Sequence, residues 1–283
     1  MSPNLMIEKL RLSDKEFRHI SDLVYGHCAI NLHDGKRELV RARLAKLIRK
    51  GNFNSFSEYM EFLERDTSGK EFSKLIDAMS TNLTGFFREN NHFDYLREKF
   101  LPQFINKKMN EGDLRIRVWS AGCSSGEEPY SIAITLLDSI PDPQNWDMKI
   151  LATDVSKSIL KTAYRGMYSE KKVASVPAVG KNKYLIKHRD NEQKFYEVSP
   201  ILRHVTMFKY MNLAQDWPIN GPVDFIFCRN VMIYFDKLTQ QRLISRFYNI
   251  LGSGCPLFTG HSESLTSIVH NFDYIQPTIY MKT

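Results

Sequence analysis

Cysteine is scarce and scattered: four in 283 residues, at Cys28, Cys123, Cys228 and Cys255, with no Cys-x-x-Cys pair and no histidine at a metal-ligand spacing. A disulfide framework is excluded, no metal centre is expected, and a reducing cytoplasm fits best. Long apolar runs are missing too. None approaches the ~18 residues needed to cross a bilayer, and Met1–Lys9 has no basic head followed by an apolar stretch. Neither membrane insertion nor secretion is expected. Internal repeats and low-complexity tracts are absent, and 42% hydrophobic with 25% charged residues excludes disorder as a description of the whole. At about 150 residues per domain, the chain makes one to two domains with a core that needs no staple.

Charge is present in one place. The net charge is +7, and the window from Lys36 to Lys50 holds seven basic residues against the single acid Glu38, which gives +6. Elsewhere the chain is nearly balanced.

The first 80 residues carry a helical period. Ser13 and Glu16 form a capping box with Leu12 and Phe17 as its apolar staple, which predicts a helix from Asp14. The basic window makes a second helix, stopped by Gly51, with Leu39, Val40, Leu44, Leu47 and Ile48 inward and Arg41, Arg43, Lys46 and Arg49 outward. A solvated face is the ordinary reading of a charge run, but so many bases without offsetting acids repel one another, and an acidic partner would relieve that cost. Ser55 and Glu58 box a third helix. Phe72, Leu75, Ile76 and Met79 mark a fourth.

After Asp113 the period changes. Ile116–Trp119 leads through Ser120-Ala121-Gly122-Cys123-Ser124-Ser125-Gly126 into a helix with Pro129 in its first turn, a strand, glycine loop and helix in succession. Further strands are expected at 149–152, 205–208, 223–227 and 257–259, with a helix from Thr239 to Leu251 before the last. That alternation predicts a doubly wound α/β sheet. The long interval between Asp154 and Asn212 exceeds one crossover, and 184–186 and 195–198 around the polar turn 189–192 read as an inserted antiparallel hairpin. The expected organisation is a helical domain over 1–81 and a sheet domain over 82–283, with the insertion at about 165–204.

The glycine loop permits close approach of backbone to a ligand, although two glycines in such a turn are more often plain turn chemistry. Glu127 and Glu128 follow it directly and would repel a pyrophosphate. A ligand bearing a cation, such as S-adenosylmethionine (SAM), suits the loop better. Asp154, ending the next strand, can accept both ribose hydroxyls of an adenosine or cap the helix after it. Asn212 can pair with adenine and Leu213 cover its face, though an isolated asparagine there reads equally as a turn residue. Cys123 is a small loop hydrophobe. Arg229-Asn230-Val231-Met232-Ile233-Tyr234-Phe235-Asp236 follows the fourth strand and lacks the Asn-Pro-Pro-Tyr sequence associated with methylation of exocyclic amines; Tyr234 reads equally as core.

These segments carry a resemblance. Thr81-Asn82-Leu83-Thr84-Gly85-Phe86-Phe87-Arg88-Glu89, Ala121 to Ser131, Thr153-Asp154, Asn212-Leu213, Cys228 to Asp236 and Gly260-His261-Ser262-Glu263 together resemble the chemotaxis receptor methyltransferases, the CheR family. The match runs in order over nearly the whole chain. It implies a Rossmann-like SAM-dependent methyltransferase domain with an N-terminal helical domain and a small antiparallel β subdomain, in the cytoplasm. It implies methyl esterification of glutamates on the cytoplasmic helices of chemoreceptors, with S-adenosyl-L-homocysteine as the other product. The implied cofactor residues are Asn82, Thr84, Arg88, Glu128, Asp154, Asn212, Leu213, Arg229 and Asn230, with Glu128 on the methionine ammonium, Asp154 on the ribose, and Arg88 and Tyr234 beside the methyl group. The basic helix resembles the family's receptor-docking helix, which faces acidic receptor surfaces; the membrane is then reached through the receptor only. One departure stands out: the turn from Arg189 to Gln193 has no glycine, which argues against docking of a receptor's C-terminal tether. The competing readings are a SAM-dependent RNA methyltransferase with the basic helix on phosphates, and a non-catalytic SAM-binding adapter.

Overall fold

The first helix begins where its capping chemistry places it. In the computed structural model, which describes residues 11–190 and 193–283, α1 (Asp14–Cys28) has the Ser13 hydroxyl accepting the Glu16 N–H and the Glu16 carboxylate accepting the Ser13 N–H at 2.9 Å. Met1–Lys9 and two residues of the hairpin turn, Asn191 and Glu192, lie outside the described residues. Leu12 and Phe17 are buried across the box.

α2 (Arg37–Lys50) buries Val40, Leu44 and Ile48, with Leu47 half-buried. Leu39 is 44% exposed, contrary to the inward position expected, because it stands off the buried 40–44–48 stripe. Gly51 ends the helix by leaving room for a neighbour: a Cβ there would lie 2.2 Å from the Phe53 ring, and Asn52 takes the left-handed φ of +56°. α3 (Phe56–Arg65) has its N-cap in Ser55, but the Glu58 carboxylate turns to the Asn54 N–H at 2.7 Å and leaves the expected box half closed. α4 (Lys70–Met79) buries Leu75, Ile76 and Met79 into a core shared by all four helices.

Next comes a helical run absent from the expected elements: α5 (Asn91–Tyr95), a π-helical turn (Leu96–Phe100) and α6 (Leu101–Asn110), which lays Phe93, Leu96, Phe100 and Ile105 under the sheet. Then follow β1 (Arg115–Ala121), α7 (Glu127–Ser139), β2 (Asp147–Asp154), α8 (Lys157–Arg165), β3 (Met167–Ser169), α9 (Ala178–Tyr184), β4 (Leu185–Asp190), β5 (Gln193–Val198), α10 (Pro200–Val205), β6 (Thr206–Tyr210), β7 (Phe225–Cys228), α11 (Lys237–Ile250), β8 (Cys255–Thr259), β9 (Asp273–Gln276) and β10 (Ile279–Lys282). The main sheet runs β6-β2-β1-β7-β8-β10-β9, the first five parallel and the last two antiparallel additions. β3, β5 and β4 form a separate antiparallel sheet. The hairpin was legible in the sequence; β3, β9 and β10, of three or four residues each, were not.

This α/β order reverses direction at β1, and the register pairs Ala121 with Thr153, so the glycine loop and Asp154 emerge side by side at the carboxyl edge. The helical part closes over that edge. Val155, Tyr234 and Phe235 pack against its core, and the Asn31 N–H donates to the Tyr234 carbonyl at 2.8 Å. Among the described residues, no helix is long and apolar enough to cross a membrane.

Candidate active site

The loop from β1 to α7 turns through left-handed backbone at Gly122 (φ +88°), Ser124 (φ +49°) and Gly126 (φ +96°). Glycine is needed at two of these for packing as well as for conformation. A Cβ on Gly122 would lie 2.3 Å from Val231, and one on Gly126 would lie 2.8 Å from the Tyr168 hydroxyl. Asp154 holds the loop from below: its carboxylate accepts the Ser124 N–H and the Ser156 N–H, both at 2.9 Å. The cap of α8 is Ser156, which accepts the Ile159 N–H at 3.2 Å, so Asp154 does not serve as that cap. Burial raises the Asp154 pKa, opposed by the two N–H bonds.

Across the cavity, Glu128 on the first turn of α7 accepts the Ser120 hydroxyl at 2.7 Å and faces Arg229 Nη1 at 3.4 Å. Burial raises its pKa, with Arg229 opposing. Arg229 is itself held: it pairs with Glu89 Oε2 at 3.2 Å, donates to the Arg88 carbonyl, and lies 5.7 Å from the centroids of Phe93 and Phe227. Asn230 has a left-handed φ of +59°. Its N–H donates to Glu263 at 2.7 Å, and the same carboxylate accepts the Gly260 and Ile233 N–H groups. Gly260 lets the two loops touch, since a Cβ there would lie 2.6 Å from Asn230 Nδ2.

The segment after α4 forms the next wall. Arg88 Nη1 donates to the Leu83 carbonyl at 2.7 Å, and the Asn82 carbonyl accepts the Ser124 hydroxyl at 3.1 Å. At the end of β6, the Asn212 side chain donates to the His27 carbonyl and accepts the Ala214 N–H at 3.0 Å, so protein groups already engage both ends of the amide expected for adenine. Tyr234 has Lys36 Nζ 5.5 Å from its ring centroid, and among the described residues its hydroxyl has no hydrogen-bond partner.

Asn82, Thr84, Arg88, Glu128, Asp154, Asn212, Leu213, Arg229, Asn230 and Tyr234 all line this one cavity, with about 970 Å³ between its lining atoms, part of it open to solvent. Cys28, Ile30, Val155 and Met211 line it too, brought there from segments that carry no motif of their own. Their approach is a long-range event that no local pattern announces. Glu89 and Glu263 support the wall from within motifs already noted, where a carboxylate beside an arginine or between two turn residues was the available signal.

The basic helix differs from its expected picture. Arg43 is turned inward, donating to the carbonyls of Met79 (2.6 Å) and Ser80 (3.2 Å) and to the Thr81 hydroxyl (2.8 Å), because α4 ends against α2 and its last carbonyls need donors. Arg37 pairs with Asp14 at 2.8 Å and Arg41 with Glu38 at 2.9 Å, so part of the charge is offset. Lys46 is exposed; Arg49, also exposed, donates from Nε to the Ala45 carbonyl at 3.2 Å.

A doubly wound sheet with a strand-end cavity between paired acidic and basic groups defines a nucleoside-binding domain, and comparison with known proteins names its class. Residues 82–281 match the family model "CheR methyltransferase, SAM binding domain" and residues 15–80 match "CheR methyltransferase, all-alpha domain". The molecule is a SAM-binding methyltransferase with SAM as its cofactor. It is 40% identical over 275 residues to a chemotaxis protein methyltransferase of Borreliella burgdorferi, covering 96% of each chain. A probable chemotaxis protein methyltransferase of Rhizobium etli is 36% identical over 262 residues (92% of this chain, 97% of the relative), and one of Escherichia coli is 36% identical over 277 (97% and 93%). The chain belongs to the CheR family of chemotaxis methyltransferases.

Proposed function

We propose that this protein transfers the methyl group of SAM to glutamate side chains on the cytoplasmic helices of chemotaxis receptors, forming methyl esters. The observation that carries the reading is the pairing, in one cavity, of carboxylates suited to a cationic cofactor (half-buried Glu128 and buried Asp154) with Arg88 and Tyr234 at the wall. Glu128 binds the methionine ammonium, Asp154 the ribose, and Asn82, Thr84, Arg229 and Asn230 the remaining polar groups. Leu213 covers the adenine, and Asn212, tied to His27, sets the position of that edge.

The chemistry asks little of a proton acceptor. A glutamate with a pKa near about 4.3 is ionised at neutral pH, so its oxygen attacks the methyl carbon without a general base. Bound SAM would supply an electrophilic methyl carbon there, the new O–CH₃ bond replacing the S–CH₃ bond and the sulfonium becoming a neutral thioether. An anion and a cation become two neutral groups, so exclusion of water favours the transition state, and alignment supplies much of the rate. Tyr234, through its hydroxyl, orients the incoming carboxylate. Arg88 acts chiefly on the cofactor carboxylate, since a strong pair with the nucleophile would hold it back.

The receptor docks on the basic helix through Lys46, Arg49 and the solvent side of Arg41, with Arg43 fixing the helix to the wall of the cavity. The reaction belongs to the cytoplasm, and a receptor tether is not part of the reading. The test is transfer of radiolabelled methyl from SAM to receptor-bearing membranes in nuclease-treated extract, followed by release of the label with alkali. Label in protein and released by alkali supports the reading; label in RNA, or SAM binding without transfer, overturns it.

A further inference from the structure

Behind the Arg229 wall, three ligand-type side chains converge. Glu89, His92 and His261 each place one ligating atom within 4.8 Å of the others. His92 Nδ1 lies 3.7 Å from Glu89 Oε2, and His261 Nε2 lies 3.9 Å from the same oxygen. The two histidines come from opposite ends of the sheet domain, so linear spacing hides the cluster.

His92 gives the cluster its direction. Its side chain is completely buried, with its ring against the stacked pair Phe227 and Phe258, and Nδ1 has no hydrogen-bond partner. The other nitrogen is fixed. The Thr278 hydroxyl donates to the Pro277 carbonyl at 2.6 Å and so accepts the His92 Nε2–H, also at 2.6 Å. That assignment leaves the Nδ1 lone pair aimed at a carboxylate oxygen, an arrangement that two acceptors do not favour unless an electrophile lies between them. A ligating histidine characteristically donates its second N–H to an oxygen, as His92 does to Thr278.

We propose that Glu89, His92 and His261 form a site for a divalent transition metal of the zinc class. Tetrahedral coordination at Zn–N and Zn–O distances of about 2.0–2.1 Å places ligand atoms about 3.3 Å apart, so the cluster must contract modestly. His261 supplies the movement: its side chain is 55% exposed, it gives up one hydrogen bond to Asn91 Oδ1, and its open side admits water as the fourth ligand. The ion takes Glu89 Oε2 from Arg229, which pairs with that oxygen at 3.2 Å and keeps its contact with Glu128 at 3.4 Å. The bound ion ties Glu89, the residue after Arg88, to the loop that follows β8.

The test uses the full chain free of any histidine tag, titrated with Co²⁺ and followed by its visible absorption, with Zn²⁺ as competitor. The site predicts one Co²⁺ per chain, displaced by Zn²⁺. His261→Ala, on an exposed residue, weakens binding by more than about 100-fold, and Thr278→Val, which removes the partner of Nε2, by about 10–100-fold. SAM affinity of each variant, measured alongside, reports that the fold is retained. Absence of stoichiometric Co²⁺ or Zn²⁺ binding, or equal binding by wild type and His261→Ala, overturns the proposal. Neither outcome depends on which substrate is methylated.

Discussion

Removing Asp154 should weaken cofactor binding for two separable reasons. Its carboxylate accepts two backbone N–H groups at 2.9 Å, one from the glycine loop and one from the start of α8. Each charge-assisted bond of this kind contributes about 1.5–3 kcal/mol, so Asp154→Ala loosens the loop by about 3–6 kcal/mol before any ribose contact is counted. A simple loss of affinity therefore does not identify a ribose ligand. A cycle does: wild type and Asp154→Ala are each titrated calorimetrically with S-adenosylhomocysteine and with its 2′,3′-dideoxy analogue. If the carboxylate accepts the ribose hydroxyls, the analogue binds wild type more weakly by about 2–4 kcal/mol, and that difference largely disappears in the variant. Coupling below about 0.5 kcal/mol, the ordinary error of additivity, would refute the ribose assignment and leave Asp154 as the organiser of the loop.

Tyr234→Phe should lower kcat at least about tenfold with SAM affinity unchanged, because only the hydroxyl is lost while the ring keeps its packing; equal kcat makes Tyr234 a core residue. Charge reversal at Lys46 and Arg49 should raise KM for receptor and flatten its salt dependence, since exposed charges act within about 8 Å at physiological salt; a wild-type KM at low salt would refute docking there. Arg43→Ala should instead lower the melting temperature, by a stability loss of about 1–3 kcal/mol as the carbonyls at the end of α4 lose a charged donor; unchanged melting would contradict its inward role. Burial raises the Glu128 pKa in the free protein, and the cofactor ammonium favours the ionised form, so binding releases protons. SAM affinity should therefore be full at neutral pH and fall with acidification through a window above the ordinary value of 4.5. Glu128→Gln should bind more weakly at neutral pH and lose that dependence; an unchanged pH profile in the variant would remove Glu128 from the ammonium site.

The fold was legible where local chemistry decides it. Ser13 and Glu16 set the start of α1, and the switch of period after Asp113 announced the parallel sheet. Strand ends were legible for the same reason: Asp154 and Arg229 each follow an apolar run, so the order of the sheet brings them to one edge. What escaped was set by contacts distant in sequence. Arg43 stands on a basic helix like its neighbours, and only the approach of α4 turns it inward. Asn212 reads as a turn residue until His27 takes its amide. The run from Asn91 to Asn110 is hidden in the sequence because its apolar face follows a motif loop without a side-chain cap, and a π-helical turn interrupts its period.

The central claim is the identity of the methyl acceptor. A receptor cytoplasmic fragment incubated with the protein and SAM, then sequenced by tandem mass spectrometry with and without mild alkali, reads it directly. The account predicts methyl groups on glutamate side-chain carboxyls that alkali removes, and none when Tyr234 and Arg88 are both replaced. Methylation confined to lysine, arginine or asparagine nitrogen, or resistant to alkali, would contradict it.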